Sequence, residues 1–258
     1  MKDTVSAVGG RALALAEAFG GLTLLSGSTL RVALERRLPW RSIFRVLDDV
    51  AVRSTAIVAL TASFTGLVLS LQTGTALARF GSKQYTGYIV SLAIVRELGP
   101  VLTALIVGGR VAGGIAAELG SMTVTEQVDA IRAMGADPVR NLVLPRVLAC
   151  VLALPMLTVL SDVLGIAGGL VIAVTQFNLP AWYYLQTVAF GVYPADVASG
   201  IAKTVFFGFS IGVIACFEGL RATGGTVGVG SATTRAVVFT SVAVLILNFF
   251  LTKLFILL

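Results

Sequence analysis

Residues 54–78 read STAIVALTASFTGLVLSLQTGTALA, 25 residues without a charge, bounded by Arg53 and Arg79. A helix rises about 1.5 Å per residue and needs roughly 20 mostly apolar residues to cross a bilayer core. The stretch therefore reads as a membrane span. Its unbroken run also argues against a barrel strand, which alternates over about 10 residues. Four further runs follow: residues 84–109, interrupted by Arg96 and Glu97; residues 147–176, containing Asp162; residues 197–217, containing Lys203; and residues 236–257, with Lys253 near the end. A shorter apolar piece, residues 111–117, reads as the end of the second helix. The expected fold is an all-α membrane protein with about five transmembrane helices.

The composition agrees. Of 258 residues, 57% are hydrophobic and only 12% charged, against roughly a quarter charged in a soluble domain. A soluble chain this apolar lacks the polar surface to cover its core. The net charge of +6 resolves into a topology signal rather than a nucleic-acid footprint. Fourteen of the 19 basic residues precede the first span or fall between spans two and three or four and five; only Arg79, Lys83 and Lys253 lie opposite. By the positive-inside rule the N-terminus is cytoplasmic and, after five crossings, the C-terminus is on the far side. There is no histidine, which removes the commonest general base and metal ligand. Cys150 and Cys216 are far apart in apolar stretches, so neither a disulfide framework nor a zinc spacing is present. The 28 glycines suit closely packed membrane helices.

Residues 1–47 carry Lys2, Arg11, Arg31, Arg36 and Arg37 around a loosely amphipathic pattern, with Leu34, Leu38, Trp40, Phe44 and Leu47 extending it. Glu17 interrupts the run 12–25 that resembles a signal-peptide core, and the arginines after it disfavour translocation. This region is expected to lie as an interfacial helix on the cytoplasmic leaflet. The membrane domain then occupies residues 48–258.

Residues 118–146, ELGSMTVTEQVDAIRAMGADPVRNLVLPR, fill a cytoplasmic loop. Thr123 and Glu126 have capping-box spacing. Val124, Val128 and Ile131 recur on one helical face, with Met134 continuing the stripe. Gly135 ends the helix and Asp137-Pro138 turns the chain. A short amphipathic helix over about residues 123–135 either packs under its own bundle or docks on a partner.

Here a family resemblance enters. The run Glu126-Gln127-x-Asp129-Ala130-x-x-x-Met134-Gly135-x-Asp137-Pro138, followed by Leu142-Val143-x-Pro145-Arg146, resembles the signature of the MlaE/YrbE permeases, membrane subunits of ABC transporters that work with MCE-domain proteins. The blocks Arg96-Glu97-Leu98-Gly99-Pro100-Val101-x-Thr103-Ala104 and Ser231-Ala232-Thr233-Thr234-Arg235 are similar too. Together they span most of residues 60–250, whereas the region before residue 45 carries little of the likeness. The resemblance implies a homodimeric permease in the bacterial inner membrane and phospholipid as cargo. It implies two cytoplasmic ATPase subunits, a periplasmic MCE-domain carrier and room for a small cytoplasmic regulatory subunit. The loop helix would then be the coupling helix, with Glu126, Asp129, Arg132 and Met134 contacting the ATPase.

No Gly-x-x-x-x-Gly-Lys-Ser/Thr loop is present to hold a triphosphate. The chain is therefore expected to be non-catalytic and without a cofactor of its own, ATP and magnesium belonging to the partner. The Gly-rich stretch Gly224 to Gly230 has no adjacent lysine and reads as a flexible connection.

Ionisable residues inside spans are costly and often functional. Arg96 and Glu97 are adjacent, about 100° apart on a helix, and precede Pro100, where a kink is expected. Lys203 is a candidate partner for Glu97, and Asp162 for Arg96. Such a network either fixes the bundle or borders the transport path. A lipid carrier also needs an apolar surface: Leu69, Thr73, Ala76, Leu77 and Phe80 fall on one helical face. Gln72 lies beside it, and Tyr85 and Leu98 are placed to face it from span two. The stripe suits helix packing as well as acyl chains; the resemblance places a lipid pocket at the dimer interface near this end of span one. Arg79 and Lys83 read as headgroup contacts or as snorkelling anchors.

Two other functions remain open to the sequence. A membrane scaffold needs the docking helix but no lipid-sized cavity. An ion-coupled transporter using Glu97, Asp162 and Lys203 is disfavoured by five spans with no visible repeat.

Overall fold

Along the first span, Ser54, Val58, Ala62, Gly66, Ser70 and Gly74 recur at every fourth position, and all are buried. That spacing gathers small residues on one helical face, so a second backbone can approach closely. The computed structural model, which describes residues 2–34 and 38–257, shows the result. Helix α1 is Lys2–Ala33 and α2 is Trp40–Ala78. A continuous helical stretch, α3, runs Lys83–Val124, and α4 is the short Gln127–Ala133. Then come α5 (Val139–Thr175), α6 (Ala181–Gly191), α7 (Pro194–Leu220) and α8 (Gly225–Leu257). All regular structure among the described residues is helical. Helices α2, α3, α5, α7 and α8 are long and apolar enough to cross a membrane.

The small-residue face of α2 lies on α5. A β-carbon on Gly66 would overlap the Gly165 carbonyl, one on Gly168 would come 2.5 Å from the Ser63 carbonyl, and Ser70 Oγ donates to the Gly169 carbonyl at 2.9 Å. Helix α7 occupies the centre by the same device. Gly208 sits 2.6 Å (β-carbon distance) from the Cys150 carbonyl and Gly212 2.8 Å from Val147 Cα. The core around it joins Leu119, Val147, Leu154, Phe207 and Ile211. Helices α2 and α8 flank this centre and keep long apolar outer faces, including Leu60, Phe64 and Val68 on α2 and Ile246, Phe249 and Phe250 on α8.

At the α4 end of the bundle the charges tie helices together. Arg146 bonds Glu118 at 2.8 Å, Arg235 bonds Glu218 at 2.7 Å, and Arg221 meets Glu17 of α1 at 3.3 Å. At the opposite end Lys83 Nζ donates to the Phe177 carbonyl at 3.0 Å, so this lysine closes a turn as well as marking the rim.

Three expectations need correction. Trp40, Phe44 and Leu47, read with the N-terminal segment, are continuous with the first span, because α2 begins at Trp40 directly after Pro39. The stretch between the third and fourth apolar runs, residues 177–196, contains a helix of its own, α6, bounded by Pro180 and Pro194. Tyr184 is buried, while Trp182, Phe190 and Tyr193 face out as an aromatic girdle does at a membrane interface. Pro100 does not simply kink α3. The irregularity is absorbed in a π turn, Ile94–Leu98, with a second at Gly108–Ala112. Finally, Thr123 and Glu126 form no capping box: Thr123 Oγ1 donates to the Leu119 carbonyl at 2.8 Å, inside α3. Glu126 takes a left-handed conformation, φ 61°, between α3 and α4.

Candidate functional site

The π turn of α3 projects Arg96 and Glu97 toward two different neighbours. Pro100 has no N–H to offer the Arg96 carbonyl four residues back. Lys203 Nζ from α7 donates to that carbonyl at 2.9 Å, and also to Glu97 Oε1 at 2.7 Å and Thr252 Oγ1 at 2.8 Å. Asn248 Nδ2 and Thr252 Oγ1 of α8 donate to Glu97 at 3.1 and 3.0 Å. The ammonium thus uses its three donors, and its side chain is only 3% exposed. This one cluster joins α3, α7 and α8.

The pairing expected for Glu97 is present; the pairing expected for Arg96 is not. Arg96 Nε donates to Asp196 Oδ1 at 2.6 Å. Asp196 lies in the first turn of α7 and also accepts from the Tyr193 N–H at 2.9 Å, so one carboxylate caps a helix and anchors the guanidinium. Its position just after Tyr193-Pro194 was the available sequence signal. Asp162 stands apart on α5. Its Oδ1 is buried with no hydrogen-bond partner, and a β-carbon on Gly99 would overlap it. Arg96 and Gly99 lie three residues apart on α3, yet Arg96 reaches α7 while Gly99 backs onto α5, because the turn is wound around them.

An apolar groove of about 560 Å³ runs along the exposed face of α2, bounded by Leu98 of α3. Of the expected lipid residues, Leu69, Gln72 and Leu98 line it. The groove then extends toward the α4 end through Phe64, Val68 and Leu60, which lie outside the stripe of residues 69–80 that the sequence pattern marks. Thr73, Ala76 and Leu77 continue along α2 beyond the groove, and Phe80 follows its last turn, 81% exposed. Tyr85 does not face the stripe. It lines a separate cleft of about 270 Å³ with Tyr183 and Phe190, because the unforeseen α6 packs there.

Helix α4 turns Val128 inward, buried, with Ile131 packed behind it against the core. Glu126, Asp129 and Arg132 are exposed, and Arg132 pairs with Asp129 at 3.0 Å. Met134, which continues the stripe in the sequence, is 76% exposed, since the helix has ended and Gly135, φ 76°, turns the chain. Asp137 Oδ1 then accepts the Val139 N–H at 2.9 Å and starts α5. The face so presented is a short polar ridge carrying one exposed thioether.

Comparison with known proteins fits this geometry. A family model described as Permease MlaE matches residues 43–254. The chain is 39% identical to a probable ABC transporter permease protein of Rickettsia felis, over 98% of both chains. It is 41% identical to a probable ABC transporter permease protein of Synechocystis sp., over 88% of this chain and 86% of the other. It is also 33% identical to the intermembrane phospholipid transport system permease protein MlaE of Haemophilus influenzae, over 96% and 95%.

Proposed function

We propose, from the premise that this chain belongs to the MlaE permease family, that it carries phospholipid between the inner membrane and a periplasmic MCE-domain carrier. The chain is a multi-pass membrane permease subunit; the cargo and the partners are our reading. The single observation that carries it is the apolar groove on α2, whose lining is hydrocarbon apart from Gln72 and two threonines. Acyl chains need such a surface, and a few polar groups suffice to orient a headgroup.

In this reading two copies face each other along α2, so that Leu69, Gln72, Thr73, Ala76, Leu77, Phe80 and Leu98 line one shared cavity. The α4 end faces the cytoplasm, with the N-terminus inside and the C-terminus in the periplasm; the arginines gathered at that end support this orientation. Glu126, Asp129, Arg132 and Met134 are the surface for a separate ATPase subunit. That subunit holds ATP and magnesium, and this chain brings no cofactor. The network of Lys203, Glu97, Asn248 and Thr252 ties α3, which borders the groove at Leu98, to α7 and α8, so that movement of those helices reaches the groove.

The test is photocrosslinking from Leu69 and Leu77 to radiolabelled phospholipid in membranes. Labelling is expected at both positions, and Leu69→Arg, Leu77→Arg and Phe80→Arg should each abolish it while the protein still inserts. Undiminished labelling in all three variants would sink the assignment.

A further inference from the structure

At the α4 end, α2, α3 and the start of α5 enclose a second cavity of about 590 Å³. Four guanidiniums reach its wall: Arg45 and Arg53 from α2, Arg110 from α3 and Arg146 from α5. Two carboxylates accompany them. Asp49 pairs with Arg53 at 2.9 Å and Glu118 with Arg146 at 2.8 Å. Among the described residues the remaining two cations meet no carboxylate. Arg110 donates to neutral oxygens there, Ser54 Oγ at 2.8 Å and the Asp49 carbonyl at 3.4 Å. Arg45 has no carboxylate partner among the described residues.

Arg146 forms the buried part of the wall. Its side chain is 9% exposed; Nη1 is held by the Leu142 carbonyl at 2.6 Å and Nη2 by Glu118 at 2.8 Å. The floor is also open: Gly114 lines the cavity, and a β-carbon built on it meets nothing within 4 Å.

We infer that this cavity is a phosphate-binding site that takes the headgroup of an anionic phospholipid from the leaflet on the α4 side. Guanidiniums match phosphate oxygens in a paired, planar way that suits this chemistry. The wall between the arginines is apolar, formed by Val46, Val50, Val111 and Ile115. A hydrated inorganic ion gains nothing from such a wall, whereas the glycerol and first methylenes of a lipid do. The site lies on the opposite half of α2 from Phe80 and does not depend on lipid moving through the groove.

The test is native mass spectrometry of the purified full-length protein in detergent, with phosphatidylglycerol, phosphatidylcholine or inorganic phosphate added. Phosphatidylglycerol should be retained in preference to phosphatidylcholine. Replacing both Arg45 and Arg110 by glutamine should cut that preference roughly tenfold. Gly114→Leu, which fills the floor and leaves every arginine, should lower it too. Phe249→Ala, on the outer face of α8 and in neither cavity, should leave it unchanged. Equal retention of both lipids, or a preference kept in the Arg and Gly114 variants, overturns the inference. Binding of inorganic phosphate that displaces no phosphatidylglycerol overturns the lipid as occupant.

Discussion

Lys203 and Glu97 show how a charge pair becomes tolerable inside a membrane protein. The lysine is almost wholly buried, but each of its donors has an acceptor, one of them the carbonyl that Pro100 leaves free. Removing one partner of a buried pair costs about 3–5 kcal/mol, because the other charge is left uncompensated. Glu97 is 37% exposed, so water screens part of that. Glu97→Ala is therefore expected to lower the melting temperature markedly. Glu97→Gln keeps one oxygen to accept from Lys203 and Thr252, gives up the one that accepts from Asn248, and should fold with a smaller shift than the alanine variant, as read by thermal melting in detergent. If Glu97→Gln leaves both melting and lipid transport intact, the charge itself matters little to either. The Glu97–Lys203 pair was legible in the sequence because both are isolated charges in apolar runs. The Arg96–Asp196 pair was not, since Asp196 sits just outside a span and reads as a loop residue until α7 is seen to begin at Pro194.

The helices are held by shape more than by hydrophobicity. Gly66 on α2 backs directly onto the Gly165 carbonyl, and backbone cannot move aside as a flexible side chain does. Gly66→Leu should separate α2 from α5 and cost at least the 1–3 kcal/mol, roughly, of core overpacking; loss of a monodisperse gel-filtration peak would show it. Gly109, whose β-carbon would meet nothing within 4 Å, should accept alanine without a measurable shift. Helix α4 makes the opposite kind of prediction. Met134 and Arg132 are exposed, so Met134→Asp and Arg132→Glu should leave melting unchanged within about 0.5 kcal/mol. In the proposed assembly they should still reduce ATPase co-purification. Normal recovery of the ATPase with both variants would remove α4 as the docking surface.

On the scale of the whole molecule, the groove of α2 is open on one side, and the shared-cavity reading requires a second copy to close it. Cys150 and Cys216 are fully buried and so are poor reactants; a single added cysteine reports without background. Val68→Cys should crosslink two copies in membranes, whereas Phe249→Cys on the outer face of α8 should not. The reverse pattern would place the interface elsewhere. The number of spans, their helical nature, the basic end of the bundle and the existence of a short loop helix were all legible in the sequence. Each rests on run length, charge placement or a local turn signal, and these act within a few residues of chain. Tertiary packing sets which charges meet, leaves Asp162 apart from them, brings Tyr85 against α6 and carries the groove back to Leu60. Those outcomes depend on how π turns and glycine contacts rotate one helix against another. A rotation of one residue position, about 100°, is enough to send a side chain to a different neighbour.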